Sequence, residues 1–214
     1  RVPTAGLTWL PTVQPVALDQ WPVTPGPEDG SWTTVMNWAS YPPLKFEDAE
    51  YGQKDVEFWK YRDLPSRVGE SLVVAMGRGV GGKRPTEELE ALGWGILEPA
   101  EHLPDHRTYR DFLRQSKGEW SIAKHGYVAS RSGWFSCRSA CYLALGRPVV
   151  VQDTGWTAHL PHGEGVLAFG TPEEAAAGIA AVSGDYARHA AAARAFAERH
   201  FEAGRVCGEL LERL

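Results

Sequence analysis

Residues 119–156, EWSIAKHGYVASRSGWFSCRSACYLALGRPVVVQDTGW, hold side chains of types and spacing suited to gripping an anion. The stretch reads as a strand, a glycine-containing loop, a helix, a Gly-x-Pro turn, a second strand and then Asp153-Thr154-Gly155. Gly133 carries no Cβ, so its backbone can approach a ligand closely. A helix beginning near Ser136 leaves its first N–H groups without intrahelical partners. Those amides and the helix dipole together make a site for a diphosphate. Arg138, in the first turn, adds charge-assisted hydrogen bonds. Lys124 ends the preceding strand, where ligands of open α/β sheets collect; a solvated lysine is the plain alternative. Asp153, Thr154 and Gly155 fall on the same edge, either touching a ligand or closing an Asx-type turn. Asn37, at the end of an earlier strand, occupies an equivalent position.

A second candidate is GRGVGGKR, residues 77–84, after the apolar run SLVVAM. Gly77, Gly79 and Gly82 satisfy Gly-x-Gly-x-x-Gly, and Glu98 stands where a dinucleotide fold places its ribose-binding acid. This supports an alternative reading as an NAD(P)-dependent Rossmann oxidoreductase. Against it, Pro85 would fall inside the helix that such a motif opens. The same run misses a P-loop because Arg84 replaces the Mg²⁺-binding Ser or Thr. The plainest reading is a flexible glycine turn between strand and helix.

Other reactive side chains point to less. His125, His159 and His162 match no metal-ligand spacing, so no metal site is expected. Cys141 sits among Tyr142, Leu143 and Leu145 and reads as a buried, inert thiol. No Gly-x-Ser-x-Gly elbow supports a hydrolase triad. Of nine tryptophans, four lie in the first 40 residues. They read as packing of a strand-poor region rather than a sugar-stacking platform.

The elements that must position these groups alternate strand and helix from about Ser31, the pattern of a parallel sheet covered by helices on both faces. Expected strands are 32–38, 71–76, 94–97, 119–123, 149–152 and 165–169, β-branched or apolar runs bounded by turn residues. Expected helices are 55–64, 86–92 with Thr86 as cap, 108–115, 136–145, one opening at Thr171-Pro172-Glu173-Glu174, 185–201 and a short last one at 206–214. Pro22, Pro25, Gly26, Pro27 and Gly30 mark a loop or linker before Ser31.

Residues 133–150 also resemble a motif of the GT-B glycosyltransferases (group 1-like). That family carries Glu-Gly-Phe-Gly, then a helix ending Glu-Ala-x-Ala-x-Gly, then x-Pro-Val-Val. Here Trp134, Phe135 and Ser136 stand for the Gly-Phe-Gly part, and Ala144, Gly146, Pro148, Val149 and Val150 match the end. Gly133 and Cys141 replace the family's two glutamates, so the resemblance implies a sugar held differently or a divergent branch. It implies an α/β, Rossmann-like parallel sheet forming the C-terminal, nucleotide-sugar-binding half of a GT-B architecture. It also places Lys54 where the family often carries a phosphate-binding lysine.

The resemblance further implies a domain plan: 1–30 as a hinge or the end of an N-terminal domain absent from this chain, 31–205 as the donor-binding domain, 206–214 as a C-terminal helix. The activity implied is metal-independent transfer of a sugar from a nucleoside-diphosphate sugar to an unknown small-molecule or glycan acceptor. No cofactor beyond that co-substrate is implied, and the catalytic base would come from the other half. A third reading is a non-catalytic module that binds a partner chain.

Composition fits these readings. The 214 residues can hold one α/β domain with some extra structure, or two small domains, and a net charge of −5 without a Lys/Arg run offers no footprint for nucleic acid. No apolar run has the ~18–20 residues of a membrane span. Three cysteines without a CxxC pair suggest reduced thiols and a cytoplasmic setting.

Overall fold

The computed structural model describes residues 5–79 and 84–214. Strand β1 (Trp32–Ala39) is followed by a small antiparallel hairpin, β2 (Leu44–Phe46) and β3 (Ala49–Tyr51). Helices α1 (Lys54–Phe58) and α2 (Leu64–Val68) lead into β4 (Leu72–Gly79). Then come α3 (Thr86–Ala91), β5 (Gly95–Leu97), α4 (Pro99–His102), α5 (His106–Arg114) and β6 (Gly118–Ser121). The chain continues through α6 (His125–Ala129), α7 (Cys137–Ala144), β7 (Val149–Gln152) and β8 (Val166–Phe169). It closes with α8 (Pro172–Gly184), α9 (Tyr186–His200) and α10 (Ala203–Leu211).

Six strands form one parallel sheet in the order β5-β4-β1-β6-β7-β8. The chain runs outward from β1 in one direction, then returns to β6 and runs outward in the other. The strand order therefore reverses between β1 and β6, and the crevice outside their C-terminal ends is where such sheets bind ligands.

Alternation along the strands splits the core in two. Trp32, Met36, Val74, Trp120 and Val150 pack against Phe58 of α1, Leu64 of α2 and Ile179 of α8. Val149 and Val151 face the opposite side, with Leu113 of α5, Leu143 of α7 and Ala193 of α9. Both β6 and β7 are buried at every residue, as central parallel strands covered on two faces must be.

Several expectations shift for local reasons. The expected helix 55–64 divides, because Pro65 lacks an N–H and starts a new helix at its first turn instead of continuing the old one. Thr86 is the first helical residue; Pro85 takes the cap position without a side-chain bond. The last helix begins at Ala203, where the Glu202 carboxylate accepts from the amides of Gly204 and Arg205. The capping box at Thr171 and Glu174 forms as its sequence implies. The hairpin β2–β3, α4 and α6 stand beyond the expected elements.

The segment before β1 lies along the C-terminal helices. Val16 N–H donates to Phe201 O at 2.7 Å, and Ala203 N–H donates back to Val16 O at 3.0 Å. Further on, the fully buried Arg147 guanidinium donates to Thr24 O at 2.8 Å and to Arg114 O at 2.6 Å.

Candidate functional site

The sequence between β6 and β7 builds the site. Strand β6 delivers Ser121 to the sheet's C-terminal edge, and Ile122-Ala123-Lys124 leads into α6. After α6 the chain turns through Arg131 and Gly133, both at positive φ (48° and 74°), and reaches Ser136. Ser136 caps α7: its hydroxyl accepts from Arg138 N–H at 3.2 Å. One of the helix's leading amides is thus satisfied internally.

A cavity of about 220 Å³ opens beside this helix start. Lys54 enters it from the first turn of α1, Ser121 and Lys124 from the end of β6, and Ser136, Arg138 and Ser139 from α7. Trp134, Phe135, Gln152 and Trp156 complete the wall. Three cations therefore converge between β1 and β6, at the switch point of the sheet.

Their states differ. Arg138 Nε donates to Glu119 Oε1 at 2.5 Å, Nη1 donates to Val35 O at 2.6 Å, and Nη2 donates to Ser121 Oγ. Burial alone would lower its pKa, but the facing Glu119 carboxylate outweighs that and holds it above the usual value. Lys54 makes no ion pair among the described residues. Burial, reinforced by repulsion from Arg138 and Lys124 and only partly offset by Glu119, pulls its pKa well below that of an ordinary lysine. Lys124 holds its ammonium 4.2 Å from the centre of the Tyr41 ring. Ser139 is 1% exposed, and its hydroxyl has no hydrogen-bond partner among the described residues. An orphaned buried hydroxyl at a cavity wall is a group that a ligand can satisfy.

Of the residues singled out in the sequence, Lys54, Lys124, Trp134, Phe135, Ser136 and Arg138 meet in this cavity. Gly133 lines a neighbouring one of about 550 Å³ behind Trp134, with Pro11–Gln14, Trp156 and His159. Asp153, Thr154 and Gly155 line neither; they brace the loop. Asp153 Oδ1 accepts from Gly155 N–H at 2.8 Å in an Asx-type turn, and Thr154 Oγ1 donates to Trp134 O at 2.7 Å. Gly133 N–H in turn donates to Thr154 O at 2.9 Å. Asn37 is exposed and stays outside the cavity, its side-chain oxygen lying where a Cβ on Gly77 would sit.

Glu119, Ser121, Ser139, Gln152 and Trp156 were not anticipated. Glu119 carried a usable signal: a carboxylate inside a buried strand needs a cation nearby. Ser139 lies three residues after the Ser136 cap and so shares its helix face.

The glycine run does not build a dinucleotide site among the described residues. Gly77 and Gly79 belong to β4, in register with Asn37 and Ala39 of β1, so they extend a strand where that motif requires a turn. Gly82 lies outside the described residues. Glu98 accepts from Arg84 Nη2 at 2.8 Å, an ion pair that occupies the proposed ribose ligand.

Cys141 is half-buried on α7. Burial pushes the Cys141 thiol up to about 12, which leaves it protonated. No group of three or more His, Cys, Asp or Glu capable of holding a metal occurs among the described residues. No helix of the described residues is long and apolar enough to cross a membrane.

No protein-family model matches the sequence, and no curated protein matches it. Solved structures do. Anabaena Alr3699/HepE in complex with UDP and glucose superposes with a TM-score of 0.60 at 13% identity, over 94% of this chain and 55% of that one. AviGT4, a glycosyltransferase involved in avilamycin A biosynthesis, gives 0.51 at 14% identity, over 93% and 55%. TarM gives 0.52 at 9% identity, over 89% of this chain and 37% of that one. The chain thus spans about half the length of the first two. It has the α/β, Rossmann-like fold of GT-B glycosyltransferases, an overlap consistent with the C-terminal domain of that architecture.

Proposed function

We propose that this chain is the donor-binding half of a GT-B glycosyltransferase, and that the cavity at the start of α7 receives the diphosphate of a nucleoside-diphosphate sugar. The observation that carries the reading is the geometry of Lys54: a half-buried amine without an ion-pair partner among the described residues, sharing a cavity at the switch point with Arg138 and Lys124. Bringing like charges together out of water is costly unless an anion joins them. A diphosphate supplies that charge, accepts from the Ser136 and Ser139 hydroxyls, and meets the positive end of the helix.

Leaving-group charge would be stabilised by these donors, in place before the reaction and needing no metal ion. Arg138, locked to Glu119, contributes through its field and holds the floor of the site. Lys54 and Lys124 make the direct contacts. The acceptor and the catalytic base would be completed by a second half, with residues 1–30 leading from it. The UDP bound in the Anabaena structure makes uridine diphosphate the first nucleotide to try.

The test is a thermal-shift panel of UDP, GDP, ADP and TDP, with NADH as the control for the oxidoreductase alternative. A ligand present at 100 times its Kd should add about 2.7 kcal/mol of stability. Stabilisation by none of the diphosphates, or by NADH alone, would refute the reading.

A further inference from the structure

A cavity of about 510 Å³ adjoins the cationic one and shares Lys124 and Tyr127 with it. One wall is the β2–β3 hairpin; the other is α6. Its volume falls within the ~300–1,000 Å³ usual for small-molecule sites. The lining is mainly apolar and includes the rings of Tyr41, Phe46, Tyr51 and Tyr127, with Ser130 and Ser132 at its edge.

One polar group stands out against that lining. Gln53 is 3% exposed, and its side-chain oxygen has no hydrogen-bond partner among the described residues. A buried amide oxygen left unpaired costs free energy that a ligand donor can recover. Lys124 supplies the complementary donor, held between the rings of Tyr41 and Tyr127 at 4.2 and 5.8 Å from their centres. The site thus asks for a ligand with weakly polarised C–H faces to lie on tyrosine rings, a hydroxyl to donate to Gln53 and oxygens to accept from Lys124. Ring faces are electron-rich and attract such C–H groups. A pyranose ring meets all three demands; a purely apolar ligand leaves Gln53 unpaired, and an anion without a hydroxyl has nothing to donate to it.

We propose that the hairpin cavity is a saccharide subsite that holds the acceptor's sugar ring beside the donor, with Tyr41 and Tyr51 as the stacking surface and Gln53 as the hydroxyl-reading group. Its assignment to the acceptor rests on the donor reading above. Under it, the sugar of the acceptor and the diphosphate of the donor both reach Lys124, which lines the two cavities.

The experiment is an NMR titration of the 214-residue chain, with labelled backbone and side-chain amides, using methyl glycosides of glucose, galactose and mannose. Cyclohexanol serves as the apolar control, and UDP and UDP-glucose are titrated separately. At least one glycoside should shift Gln53 and the hairpin amides. Its affinity should fall about tenfold or more in Tyr51→Ala and in Gln53→Leu, while UDP affinity changes less than about twofold. Two variants on different elements guard against a loss caused by misfolding, which the amide spectrum itself reports. Saturating UDP and saturating UDP-glucose should both leave the glycoside bound.

Glycoside shifts elsewhere, no glycoside shifts at millimolar concentration, or unchanged affinity in both variants would overturn the subsite. Tighter binding of cyclohexanol than of any glycoside would do so too. Displacement of the glycoside by UDP-glucose but not by UDP would make this the donor sugar's seat and overturn the acceptor assignment. Failure of UDP to bind while glycoside shifts persist would refute the donor reading and leave the saccharide subsite standing.

Discussion

Glu119 and Arg138 meet at 2.5 Å beneath the cationic cavity, the carboxylate fully enclosed and the guanidinium side chain 14% exposed. Truncating one partner strands the other, and removing half of a buried pair costs about 3–5 kcal/mol. Arg138→Met should therefore destabilise the fold by that order in urea unfolding, and weaken UDP binding as well. The double variant Arg138→Met, Glu119→Gln should recover most of the stability, because no unpaired charge remains. A double variant as unstable as the single one would show that Arg138 matters through its packing and its bonds to Val35 and Ser121 rather than through its pairing with Glu119.

The pair also shows how far the sequence reaches. Arg138 was legible as a first-turn cation, and the Thr171 cap and the runs of β6 and β7 were legible because local periodicity fixes them. What local pattern could not show is that Glu119 lies directly under Arg138. The two are 19 residues apart and meet only once β6 and α7 pack. The hairpin β2–β3 escaped notice because its strands are three residues long and β2 is exposed throughout, so neither shows a buried face. Asp153 and Thr154 sit on the expected edge, but whether such residues face a ligand or their own loop depends on side-chain direction. Here they face the loop.

Lys54 predicts a pH dependence. Its folded pKa is depressed while its unfolded value is that of an ordinary lysine, so between the two values the unfolded chain binds more protons and stability rises with pH. A bound diphosphate reverses the penalty and draws a proton back onto the amine. UDP binding should accordingly take up protons within that window and weaken as pH rises through it. Calorimetry in two buffers of different ionisation enthalpy reads the proton uptake directly, and Lys54→Met should abolish it. Equal heats in both buffers across that window would count against Lys54 as a diphosphate ligand.

Ser139 separates binding from folding. Its hydroxyl has no partner to lose among the described residues, so Ser139→Ala should leave stability unchanged or slightly raised. A hydrogen bond to a charged group contributes about 1.5–3 kcal/mol, so UDP affinity should fall roughly tenfold to a hundredfold. Unfolding midpoints and UDP titrations on the same preparation check both halves. Unchanged UDP affinity would place the diphosphate away from the face of α7 that carries Ser139.

Thr154 tests whether the loop that carries Trp134 must be held for the site to work. Its hydroxyl donates to Trp134 O at 2.7 Å, its own carbonyl accepts from Gly133 N–H at 2.9 Å, and the residue is 1% exposed. Thr154→Val keeps the shape but leaves the Trp134 carbonyl short of a donor, at a cost of about 1–3 kcal/mol. Trp134 stands at the wall of the cavity with its ring 5.3 Å from that of Tyr127, so freeing its backbone should loosen that wall. UDP affinity should then fall along with stability, and Thr154→Ser, which keeps the hydroxyl, should restore both. Lost stability with unaltered UDP affinity would mean that the loop supports the fold but not the site, and that Lys54, Ser139 and the start of α7 suffice to hold the diphosphate.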